Sequence, residues 1–294
     1  MADTDVHPEL RPLLFSIAYR MIGSVSESED IVQEAFLRYH RALETGEEVA
    51  APKAYLSTIT TRLAIDHLRS ARARREEYIG PWLPEPLLGD ERAPDPAEHA
   101  ELADSLSLAF LTLLERLSPV ERAAFLLREV FEYPYDEIAG VIGRSEDNAR
   151  QLVSRARRHI DAERPRFDVS RELQEELTER FIEATQSGDT DGLIELLASD
   201  VVVYADGGGK AQAPRRTLHG REHVARFMVG IARPERGAAD VTLEPIAVNG
   251  RPGRLARDAD GRPAAVITLD IADGQVQAVR IVANPDKLAH LVDH

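Results

Sequence analysis

Residues 135–158, YDEIAGVIGRSEDNARQLVSRARR, limit what this chain can fold into more than any other stretch. Tyr135, Ile138, Ala139 and Ile142 recur at helical spacing and predict a short helix with one apolar face. Gly143 supplies a permissive turn, and Ser145 is a good N-cap ahead of Glu146 and Asp147, whose charges suit a first turn. Ala149, Leu152, Val153, Ala156 and Ile160 then predict the buried face of a second helix. The opposite face carries Asn148, Arg150, Gln151, Ser154, Arg155, Arg157 and Arg158. Amides suited to base edges thus share one stripe with guanidinia suited to guanine or phosphate. Two helices about a tight turn, with such a stripe on the second, predict a helix-turn-helix reader of duplex DNA.

Upstream, the periodicity stays helical. Phe15, Ala18, Tyr19 and Ile22 give one stripe that ends at Gly23-Ser24. Ser26 and Glu29 have capping-box spacing ahead of a helix with Val32, Ala35, Phe36 and Tyr39 on its apolar face. A third helix is expected from near Lys53, with Leu56, Ile59 and Leu63 along one side. Between 53 and 75 the only acid is Asp66, against Lys53, Arg62, His67, Arg69, Arg72, Arg74 and Arg75. That local sign opposes the net charge of −15 and predicts a phosphate-contacting surface. Residues 76–104 reverse it again: nine acids stand against Arg92, and five prolines exclude regular structure over most of the segment. The single tryptophan lies here, in Trp82-Leu83-Pro84-Glu85-Pro86, where a solvated linker has no use for it. An apolar helix is expected over 102–116, and Ser118-Pro119-Val120-Glu121 then combines an N-cap, a proline at N1 and a capping-box glutamate.

The character changes after Arg164-Pro165. Leu173, Leu177, Phe181 and Ile182 predict an amphipathic helix, 190–198 a second and 221–231 a third. Strands are expected at 201–204, 241–248, 264–271 and 276–282, with turns at Asn249-Gly250, Asp260-Gly261 and Asp273-Gly274. This order predicts an α+β domain whose curved antiparallel sheet wraps a helix and can enclose a pocket. Absent cysteines exclude disulfides and thiolate metal sites. The acidic start MADTDVHPEL and the lack of an apolar run of ~20 residues lead to the expectation of a soluble cytoplasmic protein without membrane contact.

Taken together, these segments resemble the extracytoplasmic-function (ECF) sigma factors of the sigma-70 family. SESEDIVQEAFLRYHR is similar to the segment by which that family's region 2 clamps core RNA polymerase, and PKAYLSTITTRLAIDHLR to its −10 reading helix. WLPEP at 82–86, DGGGK at 206–210 and NPDKL at 284–288 resemble three motifs of a SigJ-like subgroup with a fused SnoaL-like, nuclear-transport-factor-2-like (NTF2-like) extension. The resemblance implies two all-α sigma domains followed by an α+β cone: region 2 at 8–75, an acidic linker at 76–101, region 4 at 102–164 and the extension at 168–294. It implies polymerase contacts from Asp30, Gln33, Glu34, Phe36 and Leu37 to the β′ coiled coil, with the β flap as a second contact. It implies −10 contacts from Arg62, Asp66, Arg69, Arg72, Arg74 and Arg75, which must capture an opened strand. The −35 set would be Ser145, Asn148, Arg150, Gln151, Ser154, Arg155, Arg157 and Arg158.

A regulatory contact would join Trp82, Leu83, Pro84, Glu85 and Pro86 to Asp206, Gly207, Gly208, Gly209 and Lys210 and to Asn284, Pro285, Asp286, Lys287 and Leu288. The subgroup usually carries arginine where Lys210 stands; lysine keeps the charge but lacks the planar, bidentate fork. Asp90, Glu91 and Asp95 are expected to mimic a phosphate chain in the polymerase channel. No metal or cofactor is expected, and the free protein is expected to be a monomer. Two other classes remain open. An enzyme or small-ligand sensor would use Tyr204, Asp206, His219 or His223 in the cone, although no H-E-x-x-H is present. A one-component repressor would share the helix-turn-helix and leave the polymerase-clamp helix unexplained.

Overall fold

The structure, a computed structural model, describes residues 7–76, 78–89, 105–163, 169–233 and 241–292; the side chains of 71–76 and 163 are not among those described. These residues fall into two compact units. The first holds 7–76, 105–106 and 110–163, and the second holds 78–89, 107–109, 169–233 and 241–292.

The first unit is helical. Its first three helices are α1 (Arg11–Ile22), α2 (Val25–Glu44) and α3 (Pro52–Glu76). Gly23, with φ of 70°, closes α1 in the left-handed conformation that glycine adopts without strain. The cap of α2 is Ser24, two residues earlier than the Ser26–Glu29 spacing predicts: Ser24 Oγ accepts from the Glu27 N–H at 3.4 Å, and Glu29 instead meets Arg11 at 2.6 Å. Among the described residues of the apolar run expected over 102–116, the regular part is α4 (Leu108–Leu114). Next come α5 (Pro119–Glu129), with both halves of the capping box formed by Ser118 and Glu121, then α6 (Tyr135–Ile142) and α7 (Glu146–Glu163).

Helices α1–α3 and α5–α7 pack into one body, joined by three polar ties. The buried Arg122 donates to the carbonyls of Met21 (2.6 Å) and Leu114 (2.9 Å), with Glu115 beside it at 2.7 Å. The Tyr133 hydroxyl donates to Ser57 Oγ at 2.8 Å. Arg62 donates to the carbonyls of Gly140 and Val141 at 2.8 and 3.0 Å. Arg20, also buried, donates to Ser105 Oγ at 3.0 Å. Burial pushes both buried guanidinia below the usual arginine range, Arg20 to about 10 and Arg122 to about 9, which leaves each charged at neutral pH.

The second unit is α+β: α8 (Arg171–Ser187), α9 (Thr190–Leu196), β1 (Leu197–Asp206), β2 (Leu218–His219), α10 (Arg221–Ile231), β3 (Thr242–Val248), β4 (Arg251–Arg257), β5 (Pro263–Ala272), β6 (Gln275–Val282) and α11 (Pro285–Leu288). Its sheet runs β2-β1-β6-β5-β4-β3. It is mixed rather than wholly antiparallel, because β1 pairs parallel with β6. Strand β4 is also new relative to the sequence reading. Its Arg251-Pro252-Gly253-Arg254 start reads as a breaker, yet the segment is held as a strand between β3 and β5. One sheet face carries Val203, Ala205, Ile267, Leu269, Val279 and Ile281 against Phe181 of α8, Leu193 of α9 and Met228 of α10. The other carries Val248, Leu255, Val266 and Val282, closed over by Leu83, Leu288 and Leu291.

Candidate nucleic-acid interface and linker dock

In the helix-turn-helix, Gly143 ends α6 at φ 64°, and Ser145 Oγ accepts from the Asn148 N–H at 3.3 Å. Ser145 therefore spends its hydroxyl on starting α7. Ile138, Ala139, Ala149 and Val153 form the buried seam between the two helices. Arg150, Gln151, Ser154, Arg155, Arg157 and Arg158 are exposed, and Asn148 is half-buried. Carboxylates accompany several of the arginines: Glu146 meets Arg150, Glu121 meets Arg155 at 3.7 Å and Glu129 meets Arg157 at 2.5 Å.

On α3, Arg62, Asp66 and Arg69 are exposed, and Asp66 meets Arg69 at 3.0 Å. Arg62 is engaged with the last carbonyls of α6, a contact the sequence does not reveal. The side chains of Arg72, Arg74 and Arg75 lie outside the described residues, as do Asp90, Glu91 and Asp95. On α2, Asp30 and Gln33 are exposed, and Glu34 and Leu37 are half-buried. Phe36, also named for the polymerase contact, is placed differently from the other four. At 2% exposure it belongs to the core, because it lies in the apolar stripe with Val32, Ala35 and Tyr39.

The three remaining motifs meet at one place in the second unit. Asp206, the last residue of β1, is fully buried. Its Oδ1 accepts from the Tyr78 hydroxyl at 2.5 Å and the Gly208 N–H at 3.1 Å. Its Oδ2 accepts from the Leu83 N–H at 2.8 Å and Lys287 Nζ at 2.7 Å. Four donors on two oxygens satisfy a buried carboxylate. Asp206 is thus a hub of hydrogen bonds rather than the turn residue its glycine neighbours suggest. Lys287 also donates to the Leu83 carbonyl and lies 4.2 Å from the Trp82 ring centroid and 5.0 Å from that of Tyr78. Burial first, and then the bond to Asp206, raise the Tyr78 pKa well above the ordinary tyrosine value.

The glycines make this approach possible. A side chain on Gly208, at φ 57°, would overlap the Asn284 amide, and one on Gly209, at φ 73°, would reach 2.9 Å from Ile79. Asn284 caps α11 through the Asp286 N–H at 3.1 Å and donates to the Tyr78 hydroxyl at 2.9 Å. Further along, Leu87 and Asn249 exchange two hydrogen bonds, Leu87 N–H to Asn249 Oδ1 at 3.0 Å and Asn249 N–H to the Leu87 carbonyl at 2.7 Å. His290 lies 2.9 Å from the Pro86 carbonyl, while Pro84 and Leu83 are buried and Glu85 is half-buried. Lys210 meets Asp286 at 2.5 Å in an exposed pair, and Pro285 is exposed. Lys210 thus makes a surface contact of small energy.

The groups weighed for catalysis do not converge. His219 and His223 are exposed, bonded to Thr217 Oγ1 and to the His219 carbonyl. Tyr204 packs under Arg280, whose guanidinium pairs with Asp270 at 2.8 Å. Among the described residues no cluster of His, Asp or Glu has metal-ligand geometry, and no helix is long and apolar enough to cross a membrane.

Comparison with known proteins assigns these parts. Sigma-70 region 2 matches residues 8–74, sigma-70 region 4 matches 107–160 and the SnoaL-like domain matches 178–283. The combination defines a sigma-70-type initiation factor with a fused SnoaL-like domain. The chain is 38% identical to the ECF RNA polymerase sigma factor SigJ of Mycobacterium tuberculosis, over 95% of this chain and 90% of that one. It is 35% identical to SigI of the same species, over 95% and 92%. The crystal structure of Mycobacterium tuberculosis SigJ matches with a TM-score of 0.74 at 34% identity, covering 96% of each chain. The chain belongs to the ECF RNA polymerase sigma factors.

Proposed function

We propose that this sigma factor joins core RNA polymerase, reads a bipartite promoter and is controlled through its own linker. The exposed side of α2, with Asp30, Gln33, Glu34 and Leu37, is the contact to the β′ coiled coil. Region 4 meets the β flap. Helix α3 reads and opens the −10 element, and the polar stripe of α7 reads the −35 element in the major groove. The relatives' names, which make them RNA polymerase sigma factors, support the polymerase and promoter parts of this reading.

The observation that carries the regulatory part is the buried Asp206. It accepts the Leu83 N–H of the linker while Lys287 donates to the Leu83 carbonyl. A domain that grips the main chain of the segment between regions 2 and 4 can set their freedom to separate. Runoff transcription with core polymerase tests this. Trp82→Ala and Leu83→Asp are expected to change RNA output while the SnoaL-like domain still melts cooperatively. Unchanged output would remove the regulatory role, and failure of the wild-type chain to start RNA on any promoter would remove the initiation role.

A further inference from the structure

Two hairpins of the sheet turn on the same chemistry, and one of the two turns is covered. Asn249-Gly250 joins β3 to β4 and Asp273-Gly274 joins β5 to β6, with all four residues at positive φ. Such turns ordinarily face water, as Asp273 and Gly274 do. Asn249, by contrast, is 2% exposed. The linker lies on it, at residues 86–89. Asn249 Oδ1 accepts from the Leu87 N–H at 3.0 Å, and the Asn249 N–H donates to the Leu87 carbonyl at 2.7 Å. Next to it, the Gly89 N–H donates to the Ala247 carbonyl at 3.0 Å, and Leu88 bridges Val248 in the antiparallel sense. On the other side, His290 Nε2 lies 2.9 Å from the Pro86 carbonyl. Asn249, Ala247 and His290 stand outside the three motifs that meet at Asp206.

The two places of attachment differ in kind. At Leu83, which is fully buried, the fasteners are the Asp206 carboxylate and the Lys287 ammonium. The bonds of Leu87 and Gly89 go to amide and carbonyl groups without charge, and Leu88 and Gly89 are half-buried. Hydrogen bonds to ionised groups are roughly twice as strong as neutral ones. Pro84 and Pro86 lack an N–H, so no continuous main-chain ladder runs from one place to the other.

We propose that the β3–β4 turn is a second linker-binding site, built for an extended main chain, and that it releases residues 86–89 while Leu83 stays held at Asp206. The linker then peels in two stages, starting from the end that leads to region 4. The consequence for initiation rests on the linker control proposed above.

Amide hydrogen exchange of the full chain, corrected for intrinsic rates and read residue by residue, tests this. Leu87 and Gly89 are expected to be less protected than Leu83 by about tenfold or more. Asn249→Gly keeps the positive φ of the turn and takes the acceptor from the Leu87 N–H. It is expected to lower the protection of Leu87 and Gly89 about a further tenfold, with Leu83 protection and the acylation rate of Lys287 unchanged. Asp273→Gly, the same kind of change in the uncovered turn, leaves all three amides as they were.

Equal protection of Leu83, Leu87 and Gly89 in the native chain overturns the inference. So does a fall at Leu83 in step with Leu87 in Asn249→Gly, or a matching loss from Asp273→Gly. Should Asn249→Gly fail to fold, the native protections decide alone. Runoff transcription separates the two levels: stepwise exchange with RNA output unchanged in both Asn249→Gly and Trp82→Ala keeps the second site and removes linker control.

Discussion

Two seams in this protein join segments far apart in sequence, and they are made of different chemistry. The seam between α1–α3 and α5–α7 ends on neutral oxygens: the Met21, Gly140 and Val141 carbonyls and the Ser57 hydroxyl. The seam between residues 78–89 and the sheet is centred on Asp206 and Lys287, which face each other at 2.7 Å. Both of those charges lie on the same side of the seam, C-terminal to the linker. The linker adds an N–H, a C=O, a tyrosine hydroxyl and two aromatic faces. Both seams are charge-assisted, the helical one through the guanidinium donors Arg62 and Arg122 and the linker one through Asp206 and Lys287. They differ in burial: the linker seam rests on a buried carboxylate and ammonium, each of which would be stranded by loss of the other, whereas Arg62 at the helical seam is exposed.

The comparison breaks most visibly at Asp206. Asp206→Asn leaves Lys287 buried without its carboxylate and is expected to destabilise the SnoaL-like domain by about 3–5 kcal/mol in urea melts. The double variant Asp206→Asn, Lys287→Met should recover part of that loss, since it removes the stranded charge; strict additivity of the two single effects would refute the coupling. Arg122→Met comes next. It leaves the Met21 and Leu114 carbonyls without their donor, and about 2–3 kcal/mol should be lost from the helical unit alone.

Tyr78 sharpens the contrast through pH. Its proton is held more tightly in the folded chain than in the unfolded one, whose tyrosine titrates near 10.0. Its contribution to stability is therefore whole below pH 10 and declines as pH rises beyond that. Tyr78→Phe should flatten this alkaline loss at a cost near 1 kcal/mol at neutral pH; an unaltered alkaline profile would count against the buried hydroxyl. The smallest effect is expected at Arg62, an exposed donor to the carbonyls of the exposed Gly140 and the buried Val141. Arg62→Ala should cost under about 1 kcal/mol, but it should speed hydrogen exchange at the end of α6. Unchanged exchange there would show that the tie carries no load.

The parts legible in the sequence are those whose cause is local. The helix-turn-helix shows itself because Gly143, Ser145 and the 3.6-residue spacing lie within one short stretch. The SnoaL-like fold is legible through its helix and strand alternation and its Asn-Gly and Asp-Gly turns. Strand β4 is hidden because Pro252 and Gly253 oppose it locally, and only the pairing of Gly253 with Ile246 on one side and Thr268 on the other imposes it. The hydrogen bonding of Asp206 is hidden for a related reason. Its partners Tyr78, Leu83 and Lys287 are remote in sequence, and the visible hint is an acid closing a β-branched run before three glycines. Phe36 is ambiguous because α2 offers an apolar face and a polar contact face that meet at its position.

The chain has only three lysines, Lys53, Lys210 and Lys287, in a sequence that otherwise uses arginine for its cations. Lys210 is exposed, whereas Lys287 is enclosed by Trp82, Tyr78, Asp206 and the Leu83 carbonyl. Amine acylation followed by mass spectrometry therefore carries built-in readings, the exposed Lys53 and Lys210 on one side and, on the other, Lys287, which reacts when the linker lets go. The occupancy of the dock can be followed during initiation, in the native chain, without an added label.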